Sequence, residues 1–300
     1  MGFSLKYTKP HLPYEKQADQ LLERGLIADR AELIQKLSQV SYYRLSGYWF
    51  PFRDFPGEQF KPNTSLDEIW NRYAFDRRLR FHLLDGIERI EVYIRSRLTY
   101  EFTFQHGAFG YLEAKNFPGI LPSEHHKLIV KIEKEVLRSS ETFIEHFNKK
   151  YQDSHPLPPL WMVAELFSFG TMLSLLRGVN ANVRKPIADD LNLDTSVLLS
   201  WIRSLNGVRN MCAHHGRIWN RQFGDKPIIP RKDNDWKTPV QIRNDRVFGI
   251  LTVIKYCLNT IVPQSQWPMR FRELLDGFSN IPMNQMGFPM NWEDCPIWKI

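Results

Sequence analysis

Arg203, Asn206, Asn210, His214, Arg217 and Arg221 follow one another at intervals of three and four residues, the spacing that lines one face of an α-helix. Leu198, Trp201, Ile202, Leu205, Val208, Cys212 and Trp219 fall on the other side. One helix continuing through Arg221 is therefore expected to carry both a core stripe and a basic, amide-rich stripe. Solvated helix faces are ordinarily rich in Glu and Lys. This one has neither, and its guanidinium, amide and imidazole groups suit an anion that gains charge as it reacts. Arg209 lies on the neighbouring flank. Asn210 precedes His214 by four residues, so its amide can orient that ring, while His215 points about 100° away.

An imidazole titrates near neutrality and moves protons there, and a guanidinium grips phosphate oxygens in bidentate fashion. RNA carries its own nucleophile, the 2′-hydroxyl beside each phosphodiester, so such groups can cleave it without a metal. The same residue types also read as a salt-bridged arginine and a capping ring, and spacing alone does not decide between the two.

The surrounding motifs narrow the choice. Arg209-Asn210-Met211-Cys212-Ala213-His214 resembles the Arg-x4-His pattern, with a polar residue after the arginine, of the HEPN superfamily of helical ribonucleases. Tyr42-Tyr43-Arg44-Leu45-Ser46-Gly47-Tyr48, Phe75-Asp76-Arg77-Arg78, Ile87-Glu88-Arg89-Ile90-Glu91, Phe109-Gly110-Tyr111-Leu112, Pro159-Leu160-Trp161, Glu165-Leu166-Phe167-Ser168-Phe169-Gly170 and Met286-Gly287-Phe288-Pro289 flank it in one order. Over nearly its whole length the chain resembles the D/F-type abortive-infection proteins of bacteria, a branch of that group. The resemblance implies a metal-independent endoribonuclease of anti-phage defence that needs no cofactor. Its motifs act in pairs across a two-fold homodimer. His214 would transfer protons, Arg209 would stabilise the phosphorane, Asn210 would position ring or phosphate, and His215 would be a substitute base. Two alternatives stay open: a non-catalytic member holding a neutralising regulatory RNA, and a phage-sensing interaction module whose contact surface is Ser41–Phe52.

The remaining chain must position these groups. Arg209 projects towards the core flank of its helix and needs a carboxylate, for which Glu88, Asp76 and Glu165 are the candidates. Arg44, set among Tyr42, Tyr43, Tyr48, Trp49, Phe50 and Phe52, needs a carboxylate or a phosphate, and joins Arg203, Asn206, Arg217 and Arg221 as an expected RNA contact. His82, Asp85 and Glu88 have the spacing of a metal set, but Arg77, Arg78, Arg80 and Arg89 around them disfavour a cation.

Apolar residues at helical spacing predict helices over Tyr14–Arg24, Ala31–Gln39, Leu66–Thr103, Ser123–Tyr151, Leu160–Arg177, Asn182–Leu191, Phe248–Ile261 and Gln266–Phe278, with His125 and His126 exposed. Strand signals are scarce, so the class is all-α: a multi-helix, HEPN-like bundle over 64–222, an N-terminal helical and aromatic segment over 1–63, and loop, helices and extended tail over 223–300. The 300 residues, 43% of them hydrophobic, can bury a sizeable core. A net charge of +7 favours a polyanionic partner, nucleic acid before membrane. Cys212, Cys257 and Cys295 are widely spaced and odd in number, which fits a reducing cytoplasm, and no apolar run reaches the length of a membrane span.

Overall fold

The computed structural model describes residues 10–151 and 155–299. Among them the chain forms twelve α-helices and no strand, in keeping with the all-α expectation. In chain order they are α1 Tyr14–Glu23, α2 Arg30–Val40, α3 Tyr42–Trp49, α4 Leu66–His106, α5 Pro122–Arg138, α6 Thr142–Tyr151, α7 Leu160–Val163, α8 Phe169–Gly178, α9 Ala181–Asp190, α10 Thr195–Ala213, α11 Val247–Ile261 and α12 Trp267–Asp276. They fall into two compact units, Met1–Arg78 with Gly277–Ile281, and Leu79–Asp276 with Pro282–Ile300. Among the described residues no helix is long and apolar enough to cross a membrane.

In the smaller unit α1 ends in a Schellman motif. Gly25 takes a left-handed φ of 88°, its N–H donates to Leu22 O at 2.9 Å, and the Leu26 N–H donates to Leu21 O at 3.1 Å. Glycine suits that position because it has no Cβ to clash with the carbonyl. Asp29 then caps α2 by accepting from the Glu32 N–H. The aromatic block on α3 is mostly core. Tyr48 and Trp49 are buried, and the Tyr48 hydroxyl donates to the buried Asp76 carboxylate at 2.6 Å, while Tyr43 faces solvent.

The larger unit is built on the later part of α4, whose Leu79, Leu83, Ile87, Ile90, Ile94, Leu98 and Phe102 are buried at helical spacing. Gly86 sits where α11 and α12 approach: a Cβ there would lie 2.5 Å from Ile254 Cγ2 and 2.8 Å from Trp267 Nε1. Only glycine admits that approach. On α11 the apolar residues run all round the helix, and Val247–Val253 are all buried. The tail is pinned beside it by Phe288 and by Trp298, whose Nε1 donates to Thr252 Oγ1 at 3.0 Å.

Three sequence expectations need correction. The charged segment Ser123–Tyr151 is two helices, because Ser139 ends α5 in extended backbone and its hydroxyl accepts from the Glu141 N–H. The apolar segment Leu160–Arg177 breaks after Leu166, where Phe167 is extended and Ser168 caps α8 by accepting from the Thr171 N–H. His125 is buried rather than exposed, with Nε2 2.9 Å from Tyr111 O.

His82 stacks on Trp267 at 4.2 Å and lies 5.3 Å from Phe271. Burial pushes its pKa down to about 4, opposed by the Asp85 carboxylate and reinforced by the Arg270 guanidinium. Neutral imidazole is thus the folded form, and its contribution to stability is present above the unfolded value and lost as pH falls towards 4. Acidification from pH 7 to pH 5 is expected to cost about 2 kcal/mol through this ring. His82→Phe, which keeps the stack, is expected to remove that part of the acid sensitivity in denaturation curves at the two pH values; an unchanged sensitivity would refute the assignment.

Candidate active site

α10 is anchored along its length. Val197, Leu198, Trp201, Ile202, Leu205, Val208 and Cys212 are buried, and the loop that follows is stitched back onto the helix. Trp201 Nε1 donates to Ile228 O at 2.8 Å, Ser204 Oγ to Asp225 O at 2.7 Å, and Ser200 Oγ accepts from the Ile228 N–H at 2.9 Å. Buried apolar surface and these hydrogen bonds from the loop together hold the helix in position behind its exposed face.

The helix stops at Ala213, eight residues before the expected Arg221. His214 is the C-cap. The His215 N–H donates to Cys212 O at 3.0 Å and the Gly216 N–H to Met211 O at 2.7 Å, which is the Schellman pattern seen at α1. Here the left-handed position, φ 57°, is held by His215 instead of glycine. The three-and-four spacing that carried the expectation past this point is coincidental: Ile218 and Trp219 are buried beyond the end of the helix, and Arg221 Nη1 donates to Arg217 O at 3.4 Å. Arg217 and Arg221 thus lie beyond the helix rather than on its polar stripe.

Arg209 has its carboxylate, though not one of those expected. Its Nε lies 3.9 Å from Glu91 Oε2 on α4. Glu88 points to solvent on the same helix, Asp76 accepts from Tyr48, and Glu165 pairs with Arg95 at 3.5 Å. Arg95 in turn pairs with Glu91 at 3.2 Å and donates to Phe167 O at 3.2 Å. The charges alternate along a chain, Arg209, Glu91, Arg95, Glu165. Burial pushes the Glu91 carboxyl above its ordinary range, against the opposing pull of Arg209 and Arg95. Glu91 and Arg95 were not singled out from sequence, although their i,i+4 spacing on α4 is the signal that marks such a pair.

The arrangement leaves Arg209 anchored at one end and open at the other, since 37% of its side chain is exposed. Its Nη1 reaches Asn210 Oδ1 at 3.4 Å, a long contact. His214, the C-cap of α10, is exposed, and so is His215 beyond it. Arg209, Asn210, His214 and His215 are thus brought together at one helix end. Arg203 lies about 16 Å up the helix axis from His214, where it pairs with Asp225 at 2.9 Å. Asn206 faces Gly170 of α8, and its Oδ1 is buried with no hydrogen-bond partner among the described residues. Arg44 lies on α3 of the smaller unit, half-buried and engaged by a neighbour. His82, Asp85 and Glu88 do not converge: the first is stacked on Trp267, the second pairs with Arg270 and Arg89, and the third is exposed.

In comparisons with known proteins, residues 35–220, more than half of the chain, match the family described as Abi-like protein. The match includes α10 and all of Arg209–His215. No curated protein and no solved structure matches.

A histidine in the left-handed position carries a backbone penalty of up to about 1 kcal/mol relative to glycine. His215→Gly is expected to raise folding stability by about 0.5–1 kcal/mol, and His215→Ala to lower it relative to the glycine variant by about 1 kcal/mol. Urea denaturation of the three proteins measures this. A glycine variant less stable than the parent by more than about 1 kcal/mol would mean that contacts of the ring outweigh the backbone conformation.

Proposed function

The chain belongs to the Abi-like protein family, and from that premise we propose that it acts in abortive infection as a metal-independent endoribonuclease of the HEPN type. The observation that carries the reading is the end of α10, where an exposed imidazole and a tethered, half-open guanidinium lie five residues apart. One imidazole cannot serve as base and acid in the same step. The Arg-x4-His spacing recurs at Arg77 and His82, but His82 is buried and stacked on Trp267, so each chain offers one exposed set; a two-fold homodimer supplies the second, and the two meet at one phosphodiester.

In the reaction, one His214 accepts the proton of the RNA 2′-hydroxyl as the 2′-oxygen bonds to phosphorus. The bond from phosphorus to the 5′-oxygen breaks, and the partner's His214 donates a proton to that oxygen. Arg209 faces the non-bridging oxygens, where negative charge builds in the phosphorane, and Asn210 positions ring or phosphate. The products are a 2′,3′-cyclic phosphate and a 5′-hydroxyl end. Glu91 acts on Arg209, not on the RNA: it fixes the direction of the guanidinium without enclosing it.

Arg209→Ala and His214→Ala are each expected to lower the rate of RNA cleavage by about 10²–10⁴-fold in the presence of EDTA, and a 2′-deoxy nucleotide at the cut site is expected to abolish it. Gel analysis of labelled RNA with folded variants reads both effects. Full cleavage by either variant, or products ending in a 3′-hydroxyl, would refute the mechanism.

A further inference from the structure

Two troughs lie on either side of α8, and each is lined by more cations than carboxylates, although Lys131 pairs with Glu135 at 3.8 Å and Arg203 with Asp225. One, of about 330 Å³, is lined by α5 and α8 and holds Lys127 and Lys131. The other, of about 860 Å³, is lined by α8, α10 and the loop after α10, and holds Arg203 and Lys226. Arg177 lines both. Among the described residues Lys127, Arg177 and Lys226 have no ion-pair partner. The acidic groups in the troughs are already engaged. Glu124 accepts from the Leu121 N–H at 2.9 Å, closing the start of α5, and Asp225 pairs with the exposed Arg203.

The larger trough reaches α10 at Leu199, Ser200 and Arg203. Arg203, Gly207, Asn210 and His214 share one side of the helix, stepping by three and four residues. Gly207 is a mid-helix glycine with no packing reason. A Cβ there would meet only Asp225 Oδ2, at 3.8 Å, an ordinary contact. It leaves the helix backbone uncovered midway between Arg203 and the motif, as a site approached closely by a ligand's own backbone requires.

We infer that these troughs form a phosphate track that holds single-stranded RNA and delivers it along α10 to Arg209 and His214. The inference rests on the nuclease reading for where the strand goes, and on the cations and Gly207 for where it lies. A flexible strand can bend over the Arg177 ridge from one trough to the next, whereas a duplex is stiff over about 150 base pairs. Arg203 to His214 spans about 16 Å of helix axis, more than one phosphate contact covers. Neither trough is lined by a Trp, Tyr or Phe, so the track holds the strand through its phosphates, and the affinity is expected to fall with salt.

The test uses the full chain and non-cleavable 2′-O-methyl oligouridylates, a short one that reaches only the motif and a 12-mer that fills the track, with fluorescence anisotropy across a salt series. Lys127→Gln, Arg177→Gln and Lys226→Gln together are expected to weaken the 12-mer about 10–100-fold at low salt and to flatten its logarithmic salt dependence by about 2, or about 0.7 per lost contact. The short oligomer and the thermal melting curve are expected to stay as in the parent. Gly207→Gln is expected to weaken the 12-mer as well, by filling the floor of the track without changing charge. Unchanged 12-mer affinity and salt slope in the triple variant would overturn the track, as would equal weakening of both oligomers. Should the parent chain cleave no RNA while the triple variant still loses the 12-mer, the track stands and the nuclease reading fails.

Discussion

The contact between Glu91 and Arg209 is the constraint on which the candidate site depends. An arginine with a flexible stem, left alone at a helix end, samples many rotamers and presents its charge in no defined direction. Here its Nε faces a carboxylate that is itself mostly buried and shared with Arg95. At 3.9 Å the pair is loose, and the exposed part of the guanidinium retains donors for another anion. A close bidentate pair would have occupied those donors, and no pair would have left the group undirected.

The backbone around this contact is organised to keep it. α4 supplies Glu91 and Arg95 from a 41-residue helix with a continuous buried stripe, and the break between α7 and α8 turns the Phe167 carbonyl towards Arg95. Had Leu160–Arg177 remained one helix, that carbonyl would have bonded within the helix. At the other side of the site, α10 ends through His215 in a conformation that Gly25 adopts without strain in the same motif at α1. The left-handed residue at this end of α10 is thus itself one of the exposed imidazoles of the candidate site.

Much of this was legible from the residues. The all-α class followed from apolar repeats uninterrupted by strand patterns, and α4 and α11 were visible because their buried positions recur without proline. The Arg-x4-His pattern stood out because its polar face lacks Glu and Lys. Local competition obscured the rest. Ser139 and Ser168 divert the backbone at points where hydrophobic periodicity continues, and periodicity does not register a hydroxyl accepting from an amide. The end of α10 was hidden because histidine seldom takes the place of glycine in a Schellman motif. Glu91 was passed over for Glu88 because both lie on one charged segment. Which of them turns inwards depends on the rotation of α4 about its axis, and that is set by tertiary packing.

The most direct measurement is RNA cleavage by Glu91→Gln, made alongside its folding stability at neutral pH. Because burial raises the Glu91 pKa, the carboxyl contributes stability below the ordinary carboxylate value and loses that contribution as pH rises through the raised one. Glutamine should therefore fold at least as well as the parent at pH 7, while its failure to hold Arg209 slows cleavage by about tenfold or more. A folded Glu91→Gln protein that cleaves RNA at the parent rate would contradict the account.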